Sequence, residues 1–155
     1  MQRYEKARSY VYSRYSTIYN DTIHERAFTH TSSVDNFMTL LAISRSLPIE
    51  IAKIAALFHD YATFAHNCPS KDHARLSSLH AYHYLSETQE FSTNEIDEIC
   101  YAIAQHSKKS EFSDDPLAEA LKDADVFAEF VEEPHTKFDP VRSKRLLKAG
   151  RDLAG

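Results

Sequence analysis

Apolar residues recur along this chain at intervals of three and four, between short polar breaks, and that period belongs to packed helices. From about Glu25 to Ser46, the residues His30, Val34, Phe37 and Leu41 follow i, i+4, i+7, i+11. The spacing puts His30 on the buried face of its helix. Pro48 suits the first turn of the next helix. There Ile51, Ala55, Phe58 and Ala62 share a face, with Leu57 and His59 beside it. The break Asn67–Asp72 predicts a turn, with Asp72 or Ser70 available as N-cap. His73 to Ser86 follows as a helix whose Ala74, Ser78, Ala81 and Leu85 are spaced for close packing. Ser92 or Thr93 caps a further helix, in which Ile96, Ile99, Ile103 and His106 recur on one stripe. Ser107–Asp115 reads as a solvated loop. Pro116 opens a helix with Leu117, Leu121, Ala124, Ala128 and Val131 inside, and Glu132–Pro140 separates it from a basic C-terminal helix.

The pattern predicts an all-α protein: one bundle of about six helices. A motif-bearing core covers residues 24–131, and helices at 2–15 and 140–153 pack on it. Tyr4, Val11 and Tyr15 of the first can close that core. Only 2 Gly and 5 Pro in 155 residues favour helices over many short strands. A formal charge of −5 gives no electrostatic reason to bind a nucleic-acid polymer. Cys68 and Cys100 form no CxxC, so neither a zinc ribbon nor a disulfide framework is expected. No apolar run approaches the ~18 residues of a membrane span, and the polar, aromatic start lacks a signal-peptide core. A cytoplasmic protein, with a homodimer as the default assembly, is the expectation.

The chemistry concentrates at His59-Asp60, which closes the apolar run Ile54–Asp60. An ionisable pair at the end of a buried helix must be satisfied, and imidazole and carboxylate can both ligate one divalent ion. His30 on an earlier apolar stripe and His106 at the end of a later one would be costly to bury apart, but a cation satisfies them together. His73 heads one helix, and Asp123 and Asp125 lie on another. On a helical wheel those two aspartates fall about equally far from the apolar centre, so periodicity leaves the choice between them open.

The order His, His-Asp, His, His, Asp resembles the HD-domain metal-dependent phosphohydrolases. His30 begins HTSSVDNFMTLLA, which is similar to that family's first motif; His59-Asp60 matches the doublet that names it; DADVF (Asp123–Phe127) looks like its last motif. The resemblance implies a helical HD fold, a metal site of His30, His59, Asp60 and Asp125, and Asp60 as the catalytic carboxylate. His73 and His106 take the positions of second-metal ligands in the two-metal members. The family's Ala-Asp pattern selects Asp125 over Asp123, which becomes an exposed or supporting neighbour. The HD-GYP class carries Lys where Thr63 stands, and the nucleotidase and guanosine-tetraphosphate hydrolase branches carry Glu there. No Gly-Tyr-Pro follows His106, and Ser107 replaces that class's second His. The chain thus resembles the small stand-alone HD proteins.

The implied activity is hydrolysis of a nucleotide or related small phosphoester by metal-activated water. One divalent ion, or two, would serve, drawn from Mn, Fe, Co, Ni, Zn and Mg. Lys108 and Lys109, just after His106, are candidate phosphate contacts, although a solvated lysine pair is the blander reading. The alternatives are a non-catalytic metal- or nucleotide-binding regulatory module, which the absence of Glu or Lys at Thr63 favours, and an HD-type di-iron oxygenase.

Overall fold

Asn20 sets the start of the longest helix. Its side chain accepts the Ile23 amide at 3.0 Å, so the helix expected from about Glu25 begins at Asp21. A computed structural model describes residues 1–68 and 71–155. Among the described residues there are eight helices and no strand: α1 (Gln2–Tyr15), α2 (Asp21–Ser44), α3 (Ile49–Phe58), α4 (Tyr61–Ala65), α5 (His73–Thr88), α6 (Thr93–Gln105), α7 (Pro116–Glu132) and α8 (Pro140–Ala154). The all-α class is as expected. The number of helices exceeds the expected six or so, partly because the segment after Pro48 divides at His59-Asp60. His59 turns its ring back so that Nδ1–H donates to the Ala56 carbonyl at 2.7 Å, and Asp60 leaves helical backbone at φ −114° and ψ 19°.

From Ile51 to Phe58, only Lys53 of α3 is not buried. A helix apolar all round must be surrounded, and α1, α2 and α6 pack directly on it. Ala52, Ala55 and Ala56 let those neighbours approach, while Ile54, Leu57 and Phe58 fill the space between them. Each such large side chain contributes about 1.5–3 kcal/mol on burial. The consequence for function is positional: the helix at the centre of the core ends in His59-Asp60, so the doublet is delivered to its floor.

The flanking elements fix what meets it there. α2 lies along α7, and α5 along α6. Ser92 and Glu95 form a reciprocal capping box at the start of α6, and Asp115 caps α7 ahead of Pro116. Asp72 stands at the N-cap of α5 without a side-chain capping bond, and Ser70 lies outside the described residues. Ser77, buried on α5, accepts the Ala62 amide at 2.9 Å and so docks α4. Tyr4 donates to Asp35, whose other oxygen takes Lys53 at 2.8 Å, tying α1 to α2 and α3. Val131 departs from expectation: it is 52% exposed. No helix among the described residues is long and apolar enough to cross a membrane.

Candidate metal centre

Two helix ends are built alike. His59 follows the last residue of α3, and His106 the last of α6. Each donates Nδ1–H to the carbonyl three residues back, Ala56 and Ile103, both at 2.7 Å. A carbonyl only accepts, so the proton sits on Nδ1 and each Nε2 is left with its lone pair facing the interior. His30, from the middle of α2, is oriented by a carboxylate instead: its Nδ1 lies 3.0 Å from Glu132 Oε2. All three rings therefore present Nε2 to one place.

There the expected residues converge. His30 Nε2 lies 3.2 Å from His59 Nε2, 3.1 Å from Asp125 Oδ1 and 3.3 Å from Asp60 Oδ2. His59 Nε2 is 3.3 Å from the same Asp60 oxygen and 3.8 Å from Asp125 Oδ1. A second group stands beside the first. His73 and His106 oppose Nε2 to Nε2 at 3.1 Å, and lie 3.3 and 3.2 Å from Asp60 Oδ1. Asp60 thus turns one oxygen to each pair of imidazoles.

These separations fit a divalent cation. Cis ligands ~2.1 Å from an ion lie about 3.0 Å apart in an octahedron and about 3.4 Å in a tetrahedron. Lone pairs and carboxylate oxygens so close repel one another unless a positive charge stands among them. His30, His59 and Asp125 form one buried group able to hold a metal ion, and His59, Asp60 and His106 another.

Protonation in the ion-free protein shows the same deficit. Burial alone lowers the His30 pKa, but hydrogen bonds to Asp125, Asp60 and Glu132 outweigh it and push it up to about 12. Burial raises Asp60, yet the imidazoles packed against it, those of His59, His106 and His30, hold it well below the usual carboxylate range. Asp125 is likewise raised by burial and lowered further by Lys109 and His30. Burial depresses His106. One trapped proton on His30 therefore does the work of a cation, and a divalent ion must displace it.

Adding Mn to ion-free protein at pH 7 in weak buffer should release protons, measurable with an indicator dye. The stability due to His30 is complete below its unfolded pKa of ~6.5 and lost as pH rises toward about 12. His106 acts in the opposite sense, but only below ~6.5. The ion-free protein should therefore melt progressively lower between pH 7 and 9, and the Mn-loaded protein should not. Equal slopes in the two forms would refute the trapped proton.

Asp123 proves neither exposed nor a ligand. It is 1% exposed, and its oxygens take Arg145 Nη1 at 2.9 Å and Arg45 Nη2 at 2.7 Å. The expected solvated loop also needs correction, because Lys109 is buried. Its Nζ donates to Asp125 Oδ2 at 2.6 Å and to the His106 carbonyl. Lys108 is exposed and does not line the adjoining cavity. That cavity, about 350 Å³, opens beside His30, Asp60, His73, His106 and Asp125. His80 and His83 do not line it, and His66 stacks on His80 with ring centroids 4.3 Å apart.

Sequence reasoning missed Glu129 and Glu132, which also line the cavity. A signal was present: Asp125, Glu129 and Glu132 follow i, i+4, i+7 along α7, an acidic stripe on one face.

An all-helical domain with clustered His and Asp side chains at the floor of its core is a metal-centre scaffold. A family model described as the HD domain matches residues 27–129, and the chain belongs to that family. Comparisons with curated proteins and with solved structures find no match.

Proposed function

We propose that this protein is a metal-dependent phosphohydrolase of a nucleotide or related small phosphoester, working at two divalent ions that share Asp60. The observation that carries the reading is the division of Asp60: Oδ2 faces His30 and His59, and Oδ1 faces His73 and His106. A lone structural ion would need only the first set. Ions held there would supply a water of lowered pKa and neutralise charge on the phosphoryl group.

The chain's own residues have distinct tasks. Glu132 orients His30, and the Ala56 and Ile103 carbonyls orient His59 and His106. Lys109 grips one oxygen of Asp125 and leaves the other toward His30. Asp60 is held in the ionised form by the imidazoles around it, so it would serve better as a metal ligand than as a proton acceptor. Glu129, one turn beyond Asp125 in the cavity wall, is raised by burial and by the charge of Asp125. It is the better proton acceptor.

The test is phosphate release across a panel of nucleotides and small phosphoesters with Mn, Co, Ni or Mg, abolished by chelation and restored by the ion. Tight binding of metal and nucleotide without product would make the protein a binding module. Oxygen consumption by iron-loaded protein, without phosphate release, would make it an oxygenase. The two-ion geometry has its own check. Metal titration should give two equivalents in the wild type and one in His106→Ala. One equivalent in both would leave a mononuclear centre.

A further inference from the structure

Three arginine or lysine side chains line the cavity: Arg26, Lys109 and Arg142. Two are already engaged. Lys109 is buried against Asp125 and the His106 carbonyl. Arg142 donates Nε to Glu129 at 3.2 Å and Nη1 to Asp139 at 3.0 Å. Arg26 is different, since no hydrogen bond or ion pair engages its guanidinium among the described residues. It lies four residues before His30 on α2, so both side chains rise from one helix face, about 6 Å apart along the axis.

An anion entering here passes an unfriendly wall, because Glu129, Glu132 and Glu133 line the cavity as well. Bound ions would neutralise the oxygens nearest the ligands, but a phosphomonoester carries three terminal oxygens, and those turned to the cavity still need donors. The guanidinium fork matches that geometry with two parallel N–H groups.

We propose that Arg26 binds the substrate's phosphoryl oxygens, and that it is what lets this glutamate-rich cavity accept an anion. The inference rests on the phosphohydrolase reading of the same site. It places the phosphate contact on α2, ahead of the first histidine, rather than on the Lys108-Lys109 pair.

The experiment is calorimetric titration of Mn-loaded protein with inorganic phosphate, comparing wild type with Arg26→Gln, Arg26→Lys and Arg151→Gln. Arg151, exposed on α8 and away from the cavity, controls for lost charge. Arg26→Gln should weaken phosphate binding about 10-fold or more, as expected for a charged hydrogen bond. Arg26→Lys should fall between Gln and wild type, and Arg151→Gln should match wild type. Mn affinity and melting temperature should be unchanged in Arg26→Gln, since no partner among the described residues holds the guanidinium. Equal phosphate affinity in wild type and Arg26→Gln would overturn the assignment and leave the phosphohydrolase reading standing. Should Arg26→Gln fail to fold, equal affinity in Arg26→Lys and wild type would overturn it as well. Absence of phosphate binding to the Mn-loaded wild type would overturn both.

Discussion

Asp60→Asn should abolish metal-dependent turnover while the protein keeps its fold. Asparagine has the shape of aspartate but offers one oxygen and one NH2. Whichever way the amide turns, one of the two imidazole pairs meets a donor where it had an acceptor 3.2–3.3 Å away. Removing a group that merely supports a metal ligand costs 10–100-fold in affinity or activity. A carboxylate facing both centres should cost more than ~100-fold in kcat/KM, with the titrated metal falling below two equivalents. The ion-free fold should survive, because the NH2 can donate to an imidazole lone pair. Circular dichroism melting and Mn titration, run beside the phosphate assay, separate these effects. Unchanged phosphate release would mean that the activity arises outside this centre.

How far this was legible in the sequence depends on the range of the interaction. Helical periodicity is a local property, and it correctly set His30 on a buried face and ended two apolar stripes at His59 and His106. It failed where a local signal was overridden. The apolar run after Pro48 looks like one helix through Ala62, but His59 bonds its own last turn and the backbone breaks at Asp60. Lys109 sits in the polar string Ser107–Asp115, which any composition rule reads as solvated. It is buried because Asp125, 16 residues away and across a helix packing, supplies its counter-charge at 2.6 Å.

Asp123 and Asp125 show the same limit more sharply. Two residues apart on α7, they point to opposite sides of the apolar face, and the wheel cannot rank them. Their environments differ completely. Asp125 meets His30, while Asp123 meets Arg45, just past the end of α2, and Arg145 of α8. Neither arginine is marked by any pattern near the aspartates, so only the motif resemblance pointed to Asp125. The acidic stripe that continues to Glu132 was readable, but an acidic helix face is ordinarily a solvated one. Its meaning emerged only when α2 brought His30 against it.

Arg145 should prove the side chain outside the metal centre on which the centre most depends. It is 1% exposed, and all of its nitrogens are engaged. Nε donates to the Lys109 carbonyl at 2.7 Å and Nη2 to the Glu111 carbonyl at 2.8 Å, while Nη1 faces Asp123 and Glu119 at 2.9 and 3.3 Å. It therefore fastens α8 to α7 and also holds the loop from which Lys109 reaches Asp125. Arg145→Met keeps the length and removes every donor. Asp123 would retain Arg45 and the Glu111 carbonyl would retain Lys122, but the Lys109 carbonyl would be stranded, and breaking a buried pair of this kind costs about 3–5 kcal/mol. For a domain of this size that corresponds to a fall in Tm of roughly 6–20 °C. Mn affinity should drop by about 10-fold or more as Lys109 loosens its hold on Asp125. Arg145→Lys, with charge but no fork, should recover part of the stability and little of the loop geometry. A lowered Tm with unchanged Mn affinity would show that Arg145 only clamps the C-terminal helix, and an unchanged Tm would show that it does neither.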